Sequence, residues 1–448
     1  MNKILRSAIF IIGSFSVMFV IASFSLSQVY AEPIIYDDDY IVEKFATGLH
    51  YPTTMHFVGD DILILEKNTG KVIRISDNGV MYNEPVLDVP VSQVNEAGLL
   101  GIISISNHVY LSFTESLSGF DKHDHKNVRN AVYQYDWNGE KLTNPILIKE
   151  LPGHLSRIHH GGIITTGLNN EIYLVIGDQE QRATFQNISV DTIYETSSIF
   201  KIDTGDKNNI ELFAMGIRNS FGLDVDPVTG YLWDTENGQD HFDEINLVKP
   251  RFNSGWNSVM GPVDRDNPDC VIDPYTRLAM CPPVSQTIPL PFENFVYSDP
   301  EFSWYEPVGP TAIAFPDRNS FERYSDWLFV GDYNNGRIYN FQLNSDRTGF
   351  IFANPALSDL VLDDNDNIDE ILFAKGFQTV SDIEFHDGAM YVVSISDGSI
   401  YKIYEPTEEE LADKIAQDTI LTLILVGTAI AVTLGVTMGV IRRKRMSS

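Results

Sequence analysis

The sequence has few cysteines and few basic residues. Cys270 and Cys281 are the only cysteines among 448 residues, and two cysteines without clustered histidines make a poor zinc site. Lysine and arginine total 31 against 62 aspartates and glutamates, which gives a net charge of −31. This excess of acidic residues argues against nucleic acid and anionic lipid as partners, because both require a basic surface.

Sustained 3.6-residue periodicity is also missing from the body of the chain, so helices are expected to be minor. A hydrophobic content of 43% with 11% aromatics is enough for a large core, which argues against disorder. Six segments instead share a pattern of short apolar strand, turn, stronger apolar strand, and Gly or Asn before a third strand. They are Met55–Ile75, Ile102–Tyr135, Ile163–Ile202, Leu223–Val248, Ala312–Leu343 and Ile383–Ile403.

These repeated units predict an all-β fold, a six-bladed β-propeller that spans residues 32–404. A pair of β-sandwiches is the alternative, but it would not be expected to repeat one motif six times. In a propeller, the ends of the innermost strands and the loops that follow them converge on the central channel. We therefore expect functional residues to come from several distant segments.

The two ends of the chain carry long uncharged runs. Lys3 and Arg6 precede an apolar run that ends at Ala31, which predicts a secretory signal peptide over residues 1–31, with an uncleaved anchor as the alternative. In either case the body of the chain is expected to be exported.

At the other end, an acidic stalk over residues 405–418 leads to an uncharged apolar segment, 419–441, and a basic tail, 442–448. A helix of this length can cross a bilayer core of about 30 Å, and the basic residues after it place the tail in the cytoplasm. A buried core helix is the alternative. We predict a single-pass protein of the cell membrane with an extracytoplasmic propeller, where Cys270 and Cys281 are expected to form a disulfide.

The stretch from Ala214 to Trp256 is the richest in candidate chemistry. Arg218 and Asn219 precede one strand, and an acidic, glycine-containing loop over residues 236–244 follows the next. A hairpin would therefore bring a cation and a Ca²⁺ site to neighbouring strand ends, since Ca²⁺ prefers oxygen ligands that include backbone carbonyls. A turn with a solvated acidic face is the alternative.

Two further motifs stand before predicted strands. His159 is followed by His160 and two glycines, which suggests an imidazole on an open turn, suited to a general base. A solvated loop histidine is the alternative. Glu96 opens the segment Glu-Ala-Gly-Leu-Leu-Gly, where it either contacts a ligand or merely ends a loop.

Together these motifs resemble the PQQ-dependent glucose/sorbosone, or aldose sugar, dehydrogenase family of quinoproteins. The His-x-Gly-Gly and Glu-x-Gly-Leu-Leu-Gly segments match, with His159 and Glu96 at their key positions. The stretch with Arg218 matches in register at Arg218, Asn219, Gly222, Gly238, Asp243, Glu244, Asn246 and Trp256.

The resemblance implies a six-bladed propeller that uses pyrroloquinoline quinone (PQQ) and Ca²⁺. In that family the base removes the proton of the anomeric hydroxyl, and the Ca²⁺ polarises the quinone. The implied catalytic residues are His159, Arg218 and Asn219; the implied cofactor-binding residues are Glu96, Arg218, Asn219 and Asn237; the implied metal-site residues are Gly238, Gln239, Asp243 and Glu244, the last two supporting the loop or a second Ca²⁺.

The implied function is oxidation of a sugar to a lactone, with electrons passed to a membrane-bound or soluble acceptor. Two alternatives remain: a non-catalytic propeller that binds a carbohydrate or a protein, and a Ca²⁺-dependent lactonase. Fold alone does not choose among them.

Two segments depart from the family pattern. Where the soluble glucose dehydrogenases carry a lysine, this chain has Gly331 to Gly336, and where they carry Arg-x-Arg-Asp, it has Thr379 to Asp382. Those cations hold the carboxylates of the cofactor. The candidates to replace them from other strands are Arg337, Lys375 and Arg157.

Overall fold

The computed structural model describes residues 32–412 apart from 155, 181–194, 207–208, 264–270, 273–278, 281–293 and 317–320, together with residue 416. Strands account for most of the regular structure in this part of the chain. Two short 3₁₀ helices span Glu322–Tyr324 and Pro355–Asp359.

The strands are short and follow one another closely. In chain order they are β1 (Ile34–Ile35), β2 (Ile41–Thr47), β3 (Pro52–Val58), β4 (Asp61–Glu66), β5 (Lys71–Ile75), β6 (Leu87–Asp88), β7 (Leu99–Ile105), β8 (His108–Ser116), β9 (Val128–Trp137), β10 (Leu142–Pro152), β11 (Ile164–Thr166), β12 (Ile172–Ile176), β13 (Ser198–Ile202), β14 (Ile210–Met215), β15 (Ser220–Val225), β16 (Leu232–Glu236), β17 (Asp243–Val248), β18 (Phe252–Asn253), β19 (Val271–Ile272), β20 (Ala279–Met280), β21 (Val296–Tyr297), β22 (Phe302–Trp304), β23 (Pro310–Ala314), β24 (Trp327–Asp332), β25 (Arg337–Gln342), β26 (Val361–Leu362), β27 (Leu372–Lys375), β28 (Val380–His386), β29 (Ala389–Ser394) and β30 (Ser399–Tyr404).

Within the described residues these strands form six sheets of four to six strands and one separate two-stranded ladder, β19–β20. The first three strands of every large sheet are antiparallel neighbours. In strand order, sheet one is β3-β4-β5-β6, sheet two β7-β8-β9-β10, sheet three β11-β12-β13-β14-β18-β21, sheet four β15-β16-β17-β22-β26, sheet five β23-β24-β25-β27-β1 and sheet six β28-β29-β30-β2.

The sheets are arranged in a closed ring. The innermost strands β3, β7, β11, β15, β23 and β28 each contact the next, and β28 returns to β3. Strand β2, from the start of the described chain, pairs with β30 from its end, Ile41 opposite Tyr404. The last sheet is thus completed by an early strand, and no large sheet stands apart from the ring.

The continuous apolar runs of the strands follow from this packing. Strand β4 has four consecutive buried apolar residues, Ile62 to Leu65. Because alternate side chains of a strand point to opposite faces, Leu63 and Leu65 pack against sheet two, and Ile62 and Ile64 against sheet six. A strand that is buried on both faces reads as a solid hydrophobic run rather than an alternating one.

The prediction of an all-β propeller is confirmed. Each of the six repeated sequence segments supplies the first three strands of one of the large sheets. The predicted signal peptide, the cysteine pair and the apolar segment 419–441 lie outside the described residues. Within the described part of the chain, no helix has the length and hydrophobicity needed to span a bilayer.

Polar side chains from the innermost strands meet in the central channel. His56 lies 2.8 Å from Glu384 and 3.0 Å from Ser104. Asp224 accepts hydrogen bonds from the amide of Phe315, at 3.1 Å, and from the hydroxyl of Thr165, at 3.4 Å. Burial raises the pKa of Asp224 to about 7, and the nearby Glu384 adds to this effect.

The raised pKa of Asp224 predicts a pH-dependent stability. The folded pKa of about 7 exceeds the reference value of 3.8, so the folded protein holds a proton that the unfolded chain has released. The stabilisation from this group is present below about pH 4 and is lost as the pH rises through 7. In Asp224→Asn, the free energy of unfolding relative to the wild type should therefore increase over this range, by at most about 1.4 kcal/mol per pH unit.

Guanidinium titrations at several pH values between 4 and 8 measure this difference. Asp387→Asn is the matched control, because Asp387 is 85% exposed on a turn. Parallel pH profiles for Asp224→Asn and the wild type would contradict the assignment.

A buried ion pair joins sheets four and five. Both Nε and Nη2 of Arg347 donate to the carboxylate of Asp226, each at 2.8 Å. The arginine side chain is 7% exposed and that of the aspartate is fully buried. Removing one partner of such a pair leaves an uncompensated buried charge, which is strongly destabilising.

Arg347→Met should lower the free energy of unfolding by roughly 3–5 kcal/mol. The double variant Arg347→Met/Asp226→Asn should recover part of this loss, because it removes the unpaired charge. Arg323→Met, at a site whose side chain is 57% exposed, should leave stability almost unchanged. Chemical denaturation measures these changes. If Arg347→Met and Arg323→Met lowered the free energy of unfolding equally, the buried ion pair would contribute no more to stability than the exposed arginine does.

Candidate active site

A cavity of about 690 Å³ lies at the end of the channel where the innermost strands begin. Its wall is built by the first residues of the innermost strands, by the loops that precede these strands and by the loops that follow the second strand of a sheet. Distant segments converge on the cavity as expected. The loops that follow the innermost strands, which were expected to form it, lie at the other end of these strands. Wall residues include Tyr51, Thr54, Lys67, Glu96, His159, Arg218, Asn219, Asn237, Gly238, Asp243, Thr311, Tyr333, Asn334 and Ser381.

His159 is held at the cavity by its backbone and its ring. Its φ of 60° lies in the left-handed region, where few residues other than glycine are found. Its amide donates to Glu96 Oε2 at 2.5 Å, and its Nδ1 lies 2.6 Å from Asp178 Oδ1. Because a carboxylate only accepts hydrogen bonds, Nδ1 carries the proton and Nε2 is the basic nitrogen. His160 is also buried, and burial lowers the pKa of its imidazole to about 4.

Asp178 connects His159 to the arginine of the site. Its second carboxylate oxygen accepts a hydrogen bond from Trp256 Nε1 at 2.7 Å, and its amide donates to the carbonyl of Arg218 at 2.8 Å. Residue 177 must be glycine, since a Cβ there would lie 2.6 Å from the His159 carbonyl oxygen and 2.7 Å from that of Arg218. Sequence reasoning missed Asp178; its signal was an acidic residue that follows the buried strand β12 after a single glycine.

Arg218 and Asn219 lie side by side where β15 begins. The amide of Arg218 donates to Glu236 at 2.6 Å, and its Nη1 donates to the carbonyl of Asn237 at 2.7 Å. The guanidinium stands over the ring of Trp256, 5.3 Å from its centroid, and burial lowers its pKa.

Two buried atoms beside the cavity have no hydrogen-bond partner among the described residues. They are Arg218 Nε and Asn219 Oδ1. Asn219 Nδ2 lies 3.4 Å from Glu96 Oε2, the same oxygen that accepts the amide of His159. Burial raises the pKa of Glu96, and the nearby His159 opposes the shift. The predicted residues Glu96, His159, Arg218 and Asn219 are thus neighbours.

The predicted metal-site residues are distributed differently. Gly238 and Asp243 lie in the cavity wall, whereas Glu244 is buried behind it and Gln239 is exposed. Burial raises the pKa of Glu244 well above its usual range, and the Glu236 carboxylate adds to this shift. Within the described residues, the acidic and histidine side chains that converge closely enough for a metal are Asp60, His386 and Asp387, at the other end of their strands. The Ca²⁺ assignment stays a prediction.

Asp243 fastens the acidic loop to its neighbours. One of its carboxylate oxygens accepts the amide of Gly238 at 2.7 Å, and the other accepts the amides of Val308 at 2.6 Å and Gly309 at 2.7 Å. Burial raises the pKa of Asp243 to about 6, against these hydrogen bonds. The side chain therefore fixes the loop that carries Gly238.

The cations expected to replace the missing ones are not at the cavity. Arg157 is exposed and lies 3.3 Å from His125, Lys375 lies over the ring of Tyr36, and Arg337 is also outside the cavity wall. None of these three candidates is among the described wall residues. The wall contains Lys67 instead, a residue that sequence reasoning did not consider because it follows β4 in a segment with no apparent motif.

Comparison with known proteins places the chain in a family. A family model described as glucose/sorbosone dehydrogenase matches residues 49–402. The chain belongs to the glucose/sorbosone dehydrogenase family. A relative from Escherichia coli, the aldose sugar dehydrogenase YliI, is 22% identical over 324 residues, which cover 68% of this chain and 81% of that protein. Quinoprotein glucose dehydrogenase B of Acinetobacter calcoaceticus is 28% identical over 242 residues, 46% of this chain and 49% of that protein.

Solved structures of the family share the fold. The soluble aldose sugar dehydrogenase of Escherichia coli in its apo form has a TM-score of 0.61 at 20% identity, over 82% of this chain and all of that one. The PQQ-bound aldose sugar dehydrogenase of Streptomyces coelicolor has a TM-score of 0.57 at 20% identity, over 83% of this chain and 99% of that one.

The contacts of Asp243 generate a prediction about the acidic loop. Asp243→Asn offers one side-chain acceptor oxygen for three backbone amides, so at least one buried amide loses its partner. The free energy of unfolding should fall by about 1–3 kcal/mol, and hydrogen exchange at Gly238 and Gly309 should speed up. Asp240→Asn, in the exposed part of the same loop, should change neither. Unaltered exchange in Asp243→Asn would rule out the fastening role.

Proposed function

We propose that the protein is a membrane-anchored, extracytoplasmic aldose sugar dehydrogenase that uses PQQ and oxidises the anomeric carbon of a sugar to a lactone. The observation that supports this best is the common cavity of His159, with Asp178 on its Nδ1, and Arg218. Membership of the family and the PQQ-bound relative from Streptomyces coelicolor give further support.

The residues of the cavity fit a planar quinone that carries several carboxylates. Lys67 and Arg218 provide positive charge, and the unpartnered Arg218 Nε and Asn219 Oδ1 provide polar groups that lack partners among the described residues. Glu96 and Asn237 lie beside them in the wall. When bound, PQQ would supply a carbonyl pair that accepts one hydride equivalent, two electrons and a proton, from the sugar, while the second proton of the oxidation goes to the base.

His159 acts as the general base of this reaction. Its Nε2 removes the proton from the anomeric hydroxyl, since Nδ1 is engaged by Asp178 at 2.6 Å. The imidazolium formed in this way stands beside a carboxylate that is fixed by Trp256. Asp178 therefore holds the ring in one tautomer and stabilises its charged form, as in other base–carboxylate pairs.

Arg218 and Asn219 stabilise the negative charge that develops in the reaction. The guanidinium is fixed by the carbonyl of Asn237 and by the ring of Trp256, so little reorganisation is needed as charge develops. Both residues come from the loop that opens β15, so their spacing is set by the backbone.

A Ca²⁺ ion is part of the proposal. Gly238 and Gln239 would hold it through backbone carbonyls, with Asp243 and Glu244 in support, and it would act as a Lewis acid. Burial raises the pKa values of Asp243 and of Glu236, to about 6 and about 7, and a nearby divalent cation would relieve the cost of ionising these carboxylates.

A non-catalytic propeller is the second candidate. The neutral residues Asn334 and Ser381 in the wall favour it, because they stand in the segments where the glucose dehydrogenases have cations. A Ca²⁺-dependent lactonase finds less support, since the carboxylate of Asp243 already accepts three backbone amides.

The membrane anchor and the location outside the cytoplasm rest on the sequence. The uncharged segment 419–441 and the basic residues after it support a single span. A protein that oxidises sugars there would pass electrons to a membrane-bound or soluble acceptor.

Reconstitution of the purified protein with PQQ and Ca²⁺ tests the function. The expected result is a shifted quinone absorbance and sugar-dependent reduction of a dye. His159→Ala should lower kcat by about 10²–10⁴-fold, the usual contribution of a general base, and should leave PQQ affinity within a few-fold of the wild type.

Asp178→Asn should lower kcat as well, through loss of the imidazolium's partner, and His123→Ala, at an exposed position, should have no effect. Absence of both the absorbance shift and dye reduction in the wild type would contradict the proposed dehydrogenase function. Full activity in His159→Ala would contradict only the assignment of His159 as the general base.

A further inference from the structure

Lys67 is placed in the cavity wall by the end of β4 in sheet one. Among the described wall residues, Lys67 and Arg218 provide the lysine and arginine side chains. The two residues come from different sheets, so the positive charge of the wall is contributed from two sides. Burial lowers the pKa of Lys67 to about 8, while Glu96 opposes the shift.

The ammonium of Lys67 has neutral partners. It donates to the carbonyl of Asn95 at 2.6 Å and to the side-chain oxygen of Asn68 at 3.2 Å. Within the described part of the chain, no carboxylate oxygen lies within 4.0 Å of the ammonium nitrogen of Lys67. An ammonium has three donors, so one remains for a bound molecule. A half-buried cation of this kind gains more from an anion than a fully exposed one does, because water screens it less.

The carboxylates of the wall do not fill this role. Glu96 Oε2 accepts from the amide of His159 and from Asn219, and Asp243 accepts three backbone amides. Their hydrogen bonds hold loops in place, and Glu96 acts on Lys67 only as a nearby charge that opposes the lowering of the lysine's pKa.

Neutral groups form another part of the wall. Thr311, Asn334 and Ser381 donate to the carbonyls of Val380, Pro307 and Pro52, at 2.5, 3.1 and 3.2 Å. Because these groups carry no charge and each already donates one hydrogen bond within the protein, an anionic guest would find its strongest partners at Lys67 and Arg218.

We propose that Lys67 binds a carboxylate of the molecule held in the cavity, together with Arg218. The inference rests on the proposed function, and it identifies a charged contact in a part of the wall where no motif pointed to one. The carboxylate has two possible sources: the cofactor, or a sugar acid that serves as the substrate.

Equilibrium titration of the full-length protein with PQQ, followed by fluorescence, tests the first source. Lys67→Gln keeps a hydrogen-bond donor but removes the charge, and it should weaken PQQ binding roughly 10- to 100-fold, the range for a hydrogen bond to a charged group. Lys67→Arg should bind PQQ within about 10-fold of the wild type, since it keeps the cation. Lys126→Gln, which removes an exposed positive charge, should match the wild type.

A trimethyl ester of PQQ, which has no free carboxylate, should bind the wild type and Lys67→Gln equally. For the second source, the KM of the wild type and the variants is compared for a neutral aldose and for the corresponding uronic acid. A rise of KM in Lys67→Gln for the uronic acid alone, with unchanged PQQ affinity, assigns the carboxylate to the substrate. Circular dichroism and thermal melting confirm that the variants are folded.

The outcomes separate the two proposals. If the wild type binds PQQ and oxidises sugar while Lys67→Gln equals it with both PQQ and the uronic acid, the role of Lys67 is overturned and the function stands. If the wild type binds neither PQQ nor either sugar, both proposals fall. Direct calorimetry with the uronic acid covers the case in which only PQQ fails to bind, and a loss of heat in Lys67→Gln would still support the carboxylate contact.

Discussion

The carboxylate of Asp178 accepts hydrogen bonds from the rings of both His159 and Trp256, and the amide of the same residue donates to Arg218. Trp256 in turn stands over the guanidinium of Arg218. Through these contacts one buried acid sets the positions of a base and a cation that lie 59 residues apart in the chain, as their numbers show. Their rigidity matters because preorganised charges stabilise a reaction without the cost of rearrangement.

This arrangement depends on the ring of sheets around it. His159 precedes β11, Arg218 precedes β15 and Lys67 follows β4, so each comes from a different sheet. The strands fix the loops at one end of the channel, and the buried faces between neighbouring sheets keep the strands from sliding. Loops on such a scaffold can change the chemistry of a site without changing the fold.

Much of the fold could be predicted from the sequence, because a strand buried on both faces leaves a continuous apolar run, as in β4. Resemblance to a family brought Glu96, His159, Arg218 and Asn219 together, and the structure places them side by side. Asp178 and Lys67 were missed because each looks like an ordinary polar residue at a strand end. Arg157, Arg337 and Lys375 were named as candidates although none of them is among the described wall residues, since the sequence does not show which side chains face the channel. The same limit of the sequence explains why Gln239 and Glu244 were predicted at the metal site although they lie outside the wall.

The pairing of β2 with β30 has a consequence for how the molecule is made. A ribosome delivers Ile41 long before Tyr404, so the final blade cannot be assembled until nearly the whole domain has been synthesised. Until then the flanks of the first and last blades have no neighbour, and their aliphatic side chains meet solvent or a chaperone. Closure of the ring therefore needs both ends of the domain, and a chain that ended before β30 would lack the strand that joins β2 to β29.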